Sequence, residues 1–91
     1  MTHDITHETE LNRFSVTVDD QLCVLEYELA DNLMTITHTR VPPAVGGKGI
    51  AADLTRTALE TARQHQWRVV PQCSYAAVYI TRHPQYADLT S

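Results

Sequence analysis

The sequence predicts a mixed α+β fold: a three-stranded antiparallel meander, a β-loop-α-β crossover and a short C-terminal helix. Three observations lead there. Arg13 to Val41 runs as three stretches of alternating apolar and polar residues separated by polar turns, the period of half-buried strands. Ile50 to about His65 carries apolar residues at helical spacing. Between them lie all three glycines of the 91-residue chain, Gly46, Gly47 and Gly49, in a turn that opens the helix.

The elements follow in order. Met1 to Asn12 is polar and without apolar periodicity, so residues 1–12 are expected to be a flexible end and residues 13–91 a single domain. His3 and His7 would face one ligand on a helix, but no third ligand is near. In the first strand Phe14, Val16 and Val18 share one face and Arg13, Ser15 and Thr17 the other. Asp19-Asp20 turns the chain. Gln21 to Leu29 alternates again, with Cys23, Leu25, Tyr27 and Leu29 opposite Glu26 and Glu28. Ala30-Asp31-Asn32 forms a second turn, and Leu33 to Val41 is the third strand. Pro42-Pro43 ends that ladder because neither residue donates a backbone hydrogen bond. Ile50, Ala51, Leu54, Ala58, Thr61 and Ala62 then form the apolar stripe of the long helix, while Asp53, Arg56, Glu60 and Arg63 face water. Trp67 to Gln72 reads as a strand parallel to the third, because a crossover helix precedes it. Ser74 is placed to cap a last helix, Tyr75 to Arg82, which Pro84 stops; residues 84–89 fold back over the edge.

Composition narrows the function classes. Hydrophobic residues make up 43% of the chain and the net charge is −4. No basic stripe interleaves with aromatics, which argues against nucleic acid as the main partner. No apolar run is long enough to span a membrane, and the polar N-terminus does not read as a signal peptide. Cys23 and Cys73 show no zinc or redox spacing. A reduced, cytoplasmic setting is expected, and nothing marks an oligomer interface, so a monomer is expected.

The glycine turn carries the chemistry. A glycine-rich turn opening a helix points backbone N–H groups, reinforced by the helix dipole, at an anion. Glycine lets several amides converge where side chains would block a close approach. Lys48 adds a mobile positive charge. The P-loop template fails, because Gly47-Lys48 is followed by Gly49 and Pro42 stands where its first glycine belongs. The dinucleotide fingerprint is met by Gly47, Gly49 and Ala52, but Val70, Pro71 and Gln72 occupy the place of its ribose-binding acid, about twenty residues on.

The runs Thr37-His38-Thr39-Arg40-Val41-Pro42-Pro43, Gly47-Lys48-Gly49-Ile50-Ala51, Val69-Val70-Pro71-Gln72-Cys73-Ser74-Tyr75 and Arg82-His83-Pro84-Gln85-Tyr86 occur in the order found in small, single-domain GCN5-related N-acetyltransferase-like proteins. The resemblance covers roughly residues 13–90. It implies a minimal acyl-CoA N-acyltransferase-like (GNAT-like) fold, acetyl-CoA or CoA as co-substrate, and a small amine or protein amine as acceptor. Gly46, Gly47, Lys48, Gly49, Ile50 and Ala51 would bind pyrophosphate, and Val41 would offer backbone bonds to the pantetheine amides. Two positions depart from the pattern: Gly46 replaces the Gln or Arg of the general acetyltransferase loop, and Arg40 stands where relatives often carry an acid. Ser74 after Cys73, where relatives commonly have Pro, is a milder change.

Four groups of side chains are candidates for the chemistry around that site. Cys73 lies between a strand end and a helix start, where the dipole favours its thiolate; it is an acyl-accepting nucleophile, a lining residue of the thioester pocket, or a small buried residue. Tyr75 and Tyr79 share a helix face, and the resemblance implies a tyrosine that protonates the departing thiolate, with Tyr75 nearer Cys73; packing on the sheet is the other reading. Arg82 and His83 are placed either to reach CoA phosphates or simply to complement a helix C-terminus. His38 continues the face of Met34 and Ile36 and has the chemistry of a general base, and Arg40 on that face either binds an acidic acceptor or is solvated. Cys23 is a core residue and His65 a surface one. Three functions remain open: an acetyltransferase with a direct attack of the amine on the thioester, a CoA-binding module without efficient transfer, and a partner-binding domain with a merely tight glycine turn.

Overall fold

A five-stranded sheet with its strands in sequence order forms the frame. The computed structural model describes residues 4–90. Strand β1 (Thr6–Glu8) leads through a single 3-10 turn to β2 (Arg13–Val18), β3 (Gln21–Ala30) and β4 (Leu33–Arg40); helix α1 (Ile50–His65), β5 (Arg68–Pro71) and helix α2 (Ser74–Arg82) follow, with a 3-10 segment, Pro84–Thr90, at the end. Strands β1 to β4 are antiparallel neighbours, and β5 joins β4 in parallel. The mixed α+β class, the meander and the crossover are therefore as the residue pattern predicts, and α1 spans the expected residues.

The two hairpin turns are tight because their residues accept left-handed backbone. Asp19 and Asp20 have φ of 51° and 63°, and Asp31 and Asn32 have 54° and 65°. Asp and Asn are the non-glycine residues that tolerate this region best, and paired positive φ angles match the twist of a two-residue hairpin.

Every buried apolar helical side chain joins one cluster on one face of the sheet. Phe14, Val16, Cys23, Leu25, Tyr27, Met34, Ile36 and Val69 meet Ile50, Leu54, Ala58, Leu59 and Ala62 of α1 and Ala76, Tyr79 and Ile80 of α2. Thr55 and Leu59 are also fully buried, whereas Ala51 and Thr61 are only half-buried. The stripe on α1 is thus rotated from the expected one, and Thr55 is tolerated inside because its hydroxyl donates to Ala51 O at 2.8 Å. The C-terminal segment is fastened to α1: Tyr86 donates to Glu60 at 2.6 Å, and Arg63 holds Asp88 at 3.0 Å. Burial, helped by Glu60, pushes the Tyr86 phenol up to about 12. No helix among the described residues is long and apolar enough to cross a membrane.

The N-terminal stretch departs from expectation. Residues 6–8 are a strand, not a flexible end, and the reason is His7. Its ring stacks on Phe14, with centroids 4.1 Å apart, and its Nε2 lies 2.7 Å from the Tyr27 hydroxyl. A histidine here does the work of an apolar residue, which a hydrophobicity pattern does not register. His3 lies outside the described residues. On the other face Glu8 accepts two bonds from Arg13, at 3.0 and 3.2 Å, and one from Ser15.

These contacts set an acid dependence. Burial, and secondarily His65, holds His7 below the ordinary histidine value. The unfolded chain then binds more protons than the native one as pH falls through that value, so the contribution is full above about pH 6.5 and lost below it. Arg13 holds Glu8 down and Arg63 holds Asp88 down, which adds a second loss in the carboxylate range. Replacing His7 by Phe should remove the first loss and keep the second. Urea melts between pH 7.5 and 5 test this; an unchanged slope in the variant would contradict the placement of His7.

Candidate functional site

The site begins where β4 and β5 part. Their pairing runs from Leu33–Arg68 to Ile36–Pro71 and stops. Pro71 has no N–H, and Gln72 N bonds back to Val70 O at 3.0 Å, a three-residue turn that curls the chain away. One last tie, Cys73 N to Ile36 O at 2.9 Å, precedes α2. Strand β4 continues alone through residues 37–40, paired only with β3.

A β-bulge lies at the same level. Tyr27 faces Ile36 and Glu26 faces His38, so Thr37 is one extra residue in β4. Its hydroxyl donates to Glu26 O at 3.2 Å. An extra residue reverses the faces beyond it. Thr39 opposite Leu25 now points to the helix side, and His38 opposite Glu26 points to the uncovered side. This corrects the expectation that His38 continues the face of Met34 and Ile36. The His38 side chain is 69% exposed and its Nδ1 sits 4.0 Å from Glu26 Oε1.

The glycine turn is held from below by Val45, which is 1% exposed and ends a 3-10 turn from Pro43. Gly47 and Gly49 have φ of 79° and 75°. Gly49 is the N-cap of α1 and offers no side-chain cap, so the first intrahelical bond is Asp53 N to Gly49 O and the amides before it stay available. They border a cavity of about 300 Å³ lined by Val41, Gly46, Gly47, Gly49, Ile50, Ala51, Ala52 and Tyr75. A second cavity of about 320 Å³, between α1 and α2, shares Ala52 and Tyr75 and adds Arg56, Val78, Tyr79, Arg82 and His83. The two cavities are neighbours across Ala52 and Tyr75 and are together termed the groove; one end has the glycine turn and the other two arginines.

Most of the candidates meet there. Val41, Gly46, Gly47, Gly49, Ile50 and Ala51 line the first cavity, Tyr79 and Arg82 the second, and Tyr75 both. Lys48 does not: its Nζ pairs with Asp19 at 2.8 Å. Arg56, expected to face water, lines the groove beside its ion pair with Asp53 at 2.9 Å. Its signal was present in hindsight, since it follows Ala52 by one helical turn. Tyr79 is nine-tenths buried, stacks on His83 at 4.0 Å, and serves as much to brace α2 as to line the groove.

Cys73 is the N-cap of α2, the place expected for Ser74. Its thiol donates to Thr39 Oγ1 at 3.6 Å across the gap left by β5. Burial pushes this thiol up, but the amides of Ala76 and Tyr75 and the Thr39 hydroxyl outweigh burial and bring it below the ordinary value. The thiol makes no capping hydrogen bond as it stands; the amides favour the thiolate once it forms. Burial, opposed by Arg82, raises the Tyr75 phenol, which keeps it protonated and able to donate.

Comparison with known proteins gives the family and the fold. The profile of the family described as GCN5-related N-acetyl-transferase matches residues 13–89. Protein NATD1 of Mus musculus is 27% identical over 89 residues, covering 92% of this chain and 81% of the relative. Protein NATD1 of Homo sapiens is 26% identical, covering 92% and 79%. The NMR solution structure of a GCN5-like protein from Staphylococcus aureus superposes with a TM-score of 0.76 at 26% identity, covering 99% of this chain and 89% of that one.

The turn makes a stability prediction. Alanine at Gly49 must adopt a left-handed backbone, which costs about 1–2 kcal/mol, a fall in Tm of roughly 5–10 °C in a domain this size. Alanine at Gly46, with φ −65° and ψ 158°, meets only the Pro43 backbone, its O at 3.4 Å and Cα at 4.0 Å, and should melt near the wild type. Equal melting temperatures for the two variants would contradict the turn.

Proposed function

The chain belongs to the GCN5-related N-acetyltransferase family, and from that premise we propose that it binds acetyl-CoA in the groove and transfers the acetyl group to an amine. The carrying observation is that the two cavities adjoin, sharing Ala52 and Tyr75 in their linings. One end offers helix amides without side-chain caps, the other Arg56 and Arg82. That suits a long ligand with a pyrophosphate and a further phosphate, because amides at a helix N-terminus and guanidinium groups both bind phosphate. The half-buried Val41, at the end of the β4 edge that β5 leaves, is placed for a peptide-like arm to add to that edge.

Within this reading each residue has a role in the step. The amine nitrogen attacks the thioester carbonyl, the C–S bond breaks, and the departing sulfur takes a proton. Tyr75, kept neutral by burial, supplies that proton and regains one from the attacking nitrogen. Cys73 and Thr39 sit at the opening between the strands and shape the acyl end. Rate enhancement comes chiefly from holding the two reactants together.

Calorimetric titration of acetyl-CoA and CoA tests the first half. Wild type should bind both, and Arg56→Gln and Arg82→Gln should each loosen binding about tenfold, the range of a charge-assisted hydrogen bond. Gly49→Ala should loosen it as well. No binding by the wild type would end this reading, whereas binding without turnover on any amine would leave a CoA-binding module.

A further inference from the structure

The sheet face opposite the helices carries one transverse row of charged side chains, one from each of four strands. Glu8 pairs with Arg13, Arg13 with Glu26, and Glu26 with His38, so the row runs β1, β2, β3, β4 and ends beside the gap left by β5. Signs alternate from Glu8 through Arg13 to Glu26, and the row ends on a histidine. Arg13 is bonded twice to Glu8 and also feels the charge of Glu26. The last member, His38, turns Nδ1 toward Glu26, which leaves Nε2, on the far side of the ring, directed away from the carboxylate. A carboxylate 4.0 Å away on the Nδ1 side, beyond hydrogen-bond reach, with Nε2 open, suits a histidine that accepts a proton at Nε2.

The next outward residue of β4 is Arg40, opposite Val24. It is exposed and makes no ion pair with another described residue. On the β5 side the outward residue is Val70, and the charged Arg68 lies at the far end of the strand, beside Leu33. His38 is therefore faced by Glu26 from β3, with Arg13 beyond it, and by Arg40 on its own strand. None of these outward residues belongs to the cluster that packs against the helices. The groove occupies the helix side; on the other side Val24 and Ser15 are buried, and His38 and Arg40 are the exposed residues at this end of β4, so an acceptor reaches the gap past those two side chains.

We propose that Glu26, His38 and Arg40 form the acceptor site, and that the acceptor is an amine carrying an anionic group, as an amino acid does. This rests on the acetyl-CoA reading above and names its second substrate. Arg40 binds the anionic group. His38 takes one proton from the ammonium and releases it to solvent, the freed nitrogen attacks the thioester carbonyl, and the second proton it loses ends on the departing sulfur. Net, an ammonium and a thioester give an amide, a thiol and one proton. Glu26 is a positioning residue: it acts only through His38. The bulge at Thr37 is what makes the site, since without it His38 would point into the core.

The test uses the full chain at saturating acetyl-CoA, with aspartate and glycine against ethanolamine and spermidine as acceptors. Wild type should favour the two amino acids. His38→Gln should lower kcat on the order of 100-fold with KM for aspartate nearly unchanged. Glu26→Gln should lower kcat less, with KM for aspartate unchanged, and Glu26→Asp should recover part of that loss, a rescue that a merely structural role would not give. Arg40→Glu should raise KM for aspartate at least tenfold more than KM for ethanolamine. CoA affinity, measured in parallel, should be unchanged in all four variants because their side chains lie off the groove. Retained CoA binding with wild-type kinetics in the variants, or with no acceptor turned over, overturns this inference and spares the CoA site; absent CoA binding in the wild type overturns both.

Discussion

A backbone that leaves a sheet must find other partners for its amides and carbonyls, and here that requirement is met differently on the two sides of one gap. Pro71, which cannot donate, bends β5 off the sheet, and Gln72 N and Cys73 N find Val70 O and Ile36 O instead. Strand β4 does not bend away. Its residues 38–40 stay paired with β3, and its other edge is left open toward α2. The groove and the position of Cys73 depend on that asymmetric parting, while the bulge at Thr37 turns His38 outward beside it.

Rigid elements hold the gap on three sides. Val45 pins the glycine turn into the core, so the amides at the start of α1 keep their direction. The α1 stripe buries Leu54 and Leu59 completely, each worth about 1.5–3 kcal/mol of apolar burial. Helix α2 is braced by Tyr79 against His83 and Tyr86, and the C-terminal segment is tied back to α1 through Arg63 and Glu60. Such supports let the site work by placement, which suits a transfer reaction between two bound substrates.

How much of this was legible in the residues depends on which physical signal each part carries. Alternation in Phe14 to Val18 and Cys23 to Leu29, the Asp19-Asp20 and Asp31-Asn32 turns, and the glycine turn before Ile50 all rest on local periodicity or local backbone preference, so the meander, α1 and its loop could be read. Strand β1 could not, because His7 packs as an aromatic and the residues around it are polar. The face of His38 could not either: a bulge is set by how two strands pair, and Thr37 has no side chain that announces it. Likewise Lys48 looks like a phosphate ligand until Asp19, distant in sequence, is found beside it. Arg56 reads as solvated from sequence because its partner wall, α2, arrives only with the tertiary fold.

In the proposed function the parted strands and the glycine turn serve as one ligand site. Amide hydrogen exchange with and without acetyl-CoA measures this directly, since it resolves local from global opening. Beyond any uniform gain from ligand binding, protection should rise in residues 38–52 and 73–76 and stay level in β1 and β2. A gain spread evenly over the chain, or centred away from those two segments, would contradict it.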